Sequence, residues 1–395
     1  MEAYILDWLS LLVRWLHLIA GIAWIGASFY FVMLDNSLTP AKPADAKRGV
    51  FGELWAVHGG GFYVSQKFLT GPKGEPLSTD LHWSKWEAYT TWLSGVALLA
   101  LIYWLGASSY LIDRNVMPLT PATAIAISIA SLAGGWLVYD GLCRALEGHE
   151  NVLAALIFAF VMLCAWALFH VFSARAAFIH VGAILGTIMV ANVFFHIIPG
   201  QKRMVADIRA GREPDPRPGV IGKQRSIHNT YFTLPVLFVM ISNHYPMTYS
   251  HPHGWLVLGV IMLAGVLIRQ FFVLRHRGAV QWGLPAAGVA LLAAVAVAIA
   301  PRSADSGGER IAFAKVHGVL KERCLQCHAT QPTQPGFAQP PKGVVLETPE
   351  QVAANAPKVA ETVGNKYMPI GNLTQMTDEE RALIVTWFAQ GAAVR

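Results

Sequence analysis

Residues 8–34 read WLSLLVRWLHLIAGIAWIGASFYFVML, with Arg14 the sole fixed charge. About 20 apolar residues, rising roughly 1.5 Å each, cross a hydrocarbon core of about 30 Å. The stretch therefore predicts a transmembrane helix. It is too long for the apolar core of a signal peptide, and Glu2 and Asp7 stand where a basic leader belongs. Seven further apolar segments follow near 88–112, 121–142, 151–172, 178–198, 230–245, 254–274 and 280–300. The segment at 230–245 is short and holds Pro235, which predicts a kink. Composition agrees: 54% of the chain is hydrophobic and 14% charged, against about a quarter charged in soluble domains. The expected fold is all-α. A polytopic bundle of about eight transmembrane helices fills residues 1–300, a polar linker 301–310, and a small all-α domain 311–395.

Beyond the last apolar segment stands Cys324-Leu325-Gln326-Cys327-His328. Two thiols two residues apart, followed at once by histidine, are the attachment pattern of a c-type haem. Each thiol can form a thioether to one vinyl group, and His328 then reaches the iron. A zinc half-site or a redox dithiol would need no adjacent histidine. An electron-transfer haem usually takes a sixth protein ligand, and Met368, followed by Pro369, is the first candidate; Met376 is the alternative. The domain expected over 311–395 is thus a cytochrome c with one covalent haem, its iron held by His328 and Met368. Its last helix is announced by the capping box Thr377-Asp378-Glu379-Glu380. Cys143 and Cys164 lie in or beside apolar segments and read as small core fillers.

Haem is attached to such domains on the outer face of a bacterial inner membrane, so this one is expected in the periplasm. Eight helices then put the N-terminus outside as well. The inner loops carry six Lys and Arg in 35–87, one in 143–150, seven in 199–229 and two in 275–279. The outer loops before the haem domain carry Arg114 and Arg175. That asymmetry obeys the positive-inside rule independently of the haem motif. It also explains the net charge of +6 without nucleic acid as a partner; the expected surroundings are membrane lipid.

Ionisable groups at membrane depth are functional candidates. His17, His170, His180 and His244 fall toward the outer face, and His196 and His228 toward the inner, with His58 in the adjoining loop. His17 and His180 on different helices could hold a b-type haem, with Arg14 pairing a propionate. His180 and His196 are about 24 Å apart along one helix and point roughly 160° apart, so one membrane haem or none is expected rather than two. The loop 35–87 contains Trp55-Ala56-Val57-His58-Gly59-Gly60-Gly61-Phe62-Tyr63 and is no plain linker. The segment Ser226-Ile227-His228-Asn229-Thr230 is unusually polar for the start of a membrane helix.

Taken together, Arg14-Trp15-Leu16-His17, the 55–63 stretch, the run from Tyr231 to Pro246 and the haem motif with Met368-Pro369 give the chain a family likeness. It resembles the bacterial membrane-bound urate oxidases (urate hydroxylases) that carry a C-terminal cytochrome c domain. The resemblance implies oxidation of urate to 5-hydroxyisourate, with water supplying the oxygen and no peroxide made. Two electrons leave one at a time through the fused haem. They pass to a respiratory acceptor such as a soluble cytochrome c or a terminal oxidase. For an inner-face site, His58 or His228 is expected to take the proton, Lys67 to balance the urate anion and Asn229 to bond a ring edge. For an outer-face site His244 and His17 become the candidates. Two other readings compete: a quinol- or quinone-linked cytochrome without urate chemistry, and a transporter fused to a haem sensor.

Overall fold

The computed structural model describes residues 2–300 and 309–394. Most of the expected linker, 301–308, lies outside the described residues. The chain begins with α1 (Glu2–Asn36), then α2 (Pro43–Lys47), α3 (Trp86–Leu99), α4 (Pro121–Ala145), α5 (Glu150–Phe169), α6 (Ala174–Ala191) and α7 (Ile198–Arg209). It continues with α8 (Arg217–Ser242), α9 (Pro246–Tyr249), α10 (Gly254–His276) and α11 (Gly283–Ala298). Each of the eight apolar segments is helical. Five helical stretches are long and apolar enough to cross a membrane: Tyr4–Asn36, Pro121–Ala145, Glu150–Phe169, Ala174–Arg209 and Gly254–His276. Gly283–Ala298 is apolar but shorter. The third expected span begins as α3 and continues as π-helical turns at Ala100–Trp104 and Ala107–Leu111. A third π-helical stretch, Asn192–Ile197, joins α6 to α7. The polar first half of α8 and these irregular turns are where the structure departs from plain spanning helices. Pro235 lies inside α8, which runs from Arg217 to Ser242 and is longer than the short segment expected at 230–245.

The all-α expectation fails in the 35–87 loop. A three-stranded antiparallel sheet lies there, made of β1 (Thr39–Pro40), β2 (Val50–His58) and β3 (Gly61–Phe68), in sequence order. The reason is local. His58 pairs with Gly61, leaving Gly59 and Gly60 as a two-residue turn. Their φ values of +59° and +80° are the left-handed pair that a tight hairpin demands and that glycine adopts freely.

The bundle core is built from α4, α5, α6, α8 and α10, with Phe172, Phe178, Leu153, Leu185 and Leu258 fully buried. Beyond the linker come α12 (Phe313–Arg323), α13 (Leu325–His328), α14 (Pro349–Gly364) and α15 (Asp378–Ala389). They share a second core of Leu320, Val352, Met376, Ile384 and Trp387. Thr377 opens α15 through the expected capping box with Glu380. This C-terminal unit sits on one end of the bundle. Gly371, at φ +58°, packs so closely on the backbone of Ser109 and Ile112 that a Cβ there would strike the Ser109 carbonyl.

Candidate functional site: a haem-motif unit, a buried polar network and a cavity against the C-terminal unit

In the C-terminal unit, Cys324 follows α12, and Cys327 and His328 lie on the short helical turn after it. The His328 Nδ1 donates to the Val344 carbonyl at 2.9 Å, which fixes the tautomer and leaves Nε2 without a protein partner among the described residues. Cys324 is buried in the same core that Met368 and Met376 pack against. Burial pushes the Cys324 thiol up to about 12 and raises that of Cys327. Raised this way, the thiols are not activated as nucleophiles. Among the described residues, no three His, Cys, Asp or Glu side chains converge to hold a metal ion. A porphyrin attached to both thiols, with iron on His328 Nε2, is the arrangement these groups fit. Arg381 holds the loop around Met368: it donates to the carbonyls of Val363 and Met368 and to Asn372 Oδ1.

The structure separates the four residues expected around an inner substrate. His58 is exposed at the hairpin tip. Lys67, on β3, pairs with Asp35 at 2.6 Å. His228 and Asn229 come together in a buried polar network at the far end of the bundle. His228 Nδ1 bonds the Tyr139 hydroxyl at 2.7 Å, and Asn229 donates to the Met189 carbonyl at 3.0 Å. Asn192 donates to both Tyr139 Oη and Asn229 Oδ1 at 3.0 Å. Beside them Asp140 accepts from Arg144, His196 and Arg225, each at 2.7 Å. Arg225 lies over the Tyr139 ring, 5.1 Å from its centroid.

The residues expected around a membrane haem do not meet either. His180 is fully buried, with Nε2 bonded to Ser128 Oγ at 2.7 Å and Nδ1 to the Ala176 carbonyl at 2.8 Å. An iron bond there would break one of these. His17 meets the Thr91 carbonyl and Ser94 Oγ through Nδ1, at 3.0 and 3.1 Å, and its Nε2 has no hydrogen-bond partner among the described residues. Arg14 and His244 are exposed.

Sequence reasoning passed over a cavity of about 380 Å³ between the bundle end and the C-terminal unit. Tyr110, Asp113, Arg175 and Tyr249 face it from the bundle, and Tyr367 and Arg381 from the other side. The volume falls in the small-ligand range of roughly 300–1,000 Å³. Arg175 is oriented by Asn243 Oδ1, which accepts from its Nε at 3.0 Å, and lies 5.4 Å from the Tyr110 ring centroid. Asn243 in turn meets the Tyr103 hydroxyl at 3.5 Å. The Tyr249 hydroxyl is buried with no hydrogen-bond partner among the described residues. Burial holds the Asp113 carboxyl above the ordinary carboxylate range, although the Asn115 amide and the nearby Arg381 and Lys366 pull the other way. One signal could have pointed here. Arg175 is one of two basic residues in loops that charge asymmetry otherwise empties of cations.

A family model described as "Urate oxidase N-terminal" matches residues 3–300. No curated protein and no solved structure matches the chain.

Proposed function

Because this chain belongs to the urate oxidase N-terminal family across residues 3–300, we propose that it hydroxylates urate with water and exports the electrons through its C-terminal unit. The observation that supports this most is the seating of the Cys324-Leu325-Gln326-Cys327-His328 unit on the family domain, with Gly371 against Ser109. A fused electron acceptor in contact with the oxidising domain makes oxygen unnecessary as the oxidant. The urate anion and water yield 5-hydroxyisourate, one proton and two electrons. One C–O bond forms at C5 and one O–H bond of water breaks.

A c-type haem, when bound, supplies a one-electron acceptor, so each urate requires two transfers. The chain's own residues prepare that acceptor. Cys324 and Cys327 would attach it, and the bond of His328 Nδ1 to the Val344 carbonyl would leave Nε2 to hold the iron. Met368 is the proposed sixth ligand, its loop fixed by Arg381. A thioether ligand favours the reduced iron and so raises the potential, which suits acceptance from an organic substrate. A soluble cytochrome c or terminal oxidase would be the onward acceptor. The apolar helices are compatible with a membrane protein. The proposed setting is the bacterial inner membrane, with the haem unit in the periplasm.

The test is turnover under argon in isotopically labelled water, with ferricyanide as acceptor. The expected product carries the label, and no peroxide appears. A strict need for oxygen would refute the reading. So would haem reduction by quinol but not by urate.

A further inference from the structure

We propose that urate is bound and oxidised in the cavity between the bundle end and the C-terminal unit, held as its anion by Arg175 and hydrogen-bonded by Tyr249. This assignment rests on the urate-oxidising reading above. Three observations carry it. First, Tyr249 is 3% exposed and lines the cavity, yet its hydroxyl has no partner among the described residues. A buried hydroxyl without a partner is destabilising, and a bound acceptor that reaches it would supply the missing bond. Second, Arg175 lines the cavity with its guanidinium held in place, through Nε by Asn243 and beside the buried Tyr103 hydroxyl. A fixed guanidinium fork matches the paired oxygen and nitrogen acceptors along the edge of a planar anion. The guanidinium lies over the Tyr110 ring, which lines the same cavity.

Third, the cavity adjoins the acceptor. Tyr367, next to Met368, lines it, and so does Met376. Whichever sulfur takes the iron, the cavity wall includes that residue or its neighbour. The polar network around Asn192 lies about 25 Å from Arg175 along the α6 axis. Tunnelling falls off exponentially with distance, and the network's His228 and Asn229 are already engaged in internal bonds. In the cavity the proton released by the attacking water has a receiver on the same wall, the Asp113 carboxylate. The two electrons go one at a time to the haem and the new oxygen stays on C5.

The experiment uses the full-length haem-loaded protein in detergent. With the haem pre-reduced by dithionite, urate binds without turnover, and its affinity is measured by equilibrium dialysis. Arg175→Gln is expected to weaken urate binding at least tenfold, and the conservative Tyr249→Phe several-fold. Asp113→Asn is expected to lower kcat with KM little changed. All three should keep the wild-type haem spectrum and its reduction by dithionite. Wild-type affinity and KM in both Arg175→Gln and Tyr249→Phe, while urate still reduces wild-type haem, would overturn the cavity assignment alone. If Arg175→Gln does not fold, Tyr249→Phe decides. Failure of urate to reduce wild-type haem would overturn the underlying reading and the cavity with it.

Discussion

Asp140 is the residue on which the far end of the bundle turns. It accepts three charge-assisted bonds, one from Arg225, whose side chain is 3% exposed. Removing one partner of a buried pair leaves the other charge uncompensated, at about 3–5 kcal/mol. Asp140→Ala should therefore lower the unfolding free energy by that order, visible as a depressed thermal midpoint in detergent. An unchanged midpoint would mean that water already solvates Arg225. Met368→Ala should shift the haem midpoint potential downward, because the thioether that favours ferrous iron is gone. An unchanged potential would give the ligand role to Met376. Cys324, Cys327 and His328 were legible in sequence because covalent attachment imposes their spacing. Arg175 and Tyr249 were not. They come from the start of α6 and the end of α9, and only packing brings them to one cavity. Asp140 was a single acidic residue within an expected span, and that signal went unused.

Among the elements, the hairpin of β2 and β3 is marked in the sequence by its glycines, within a stretch whose composition otherwise fits a loop. Two glycines between apolar-rich runs are a turn signal, yet the membrane pattern on either side dominated the reading. Gly60→Val should destabilise the hairpin by about 1–2 kcal/mol, the cost of forcing a side chain into left-handed backbone. Hydrogen exchange confined to 50–68 would register it; protection equal to wild type would contradict the turn geometry. The membrane helices were legible by length and apolarity, but their π-helical turns were not. Those turns matter for position. The stretch Ala107–Leu111 places Tyr110 at the cavity, and Asn192–Ile197 brings Asn192 and His196 into the polar network. An extra residue per turn changes which side chains face inward, and apolar periodicity does not reveal it.

At the scale of the whole molecule, two units with separate cores must act as one. Their join is tight at Gly371, where added bulk meets the Ser109 carbonyl and its φ of +58° resists a side chain. Gly371→Val should separate the units. It should slow haem reduction by urate while leaving reduction by dithionite intact; wild-type rates would mean that the contact is dispensable. The two-part organisation could be read from the sequence, since a polar linker and a haem motif follow the last apolar segment. That the second unit closes a cavity against the first could not, because neither unit encodes the other's surface. The most direct test of electron export is an anaerobic titration of the oxidised, purified protein with urate, followed in the haem Soret and α bands. The account predicts full reduction at one urate for every two haems. No spectral change, or reduction only after oxygen is admitted, would contradict it.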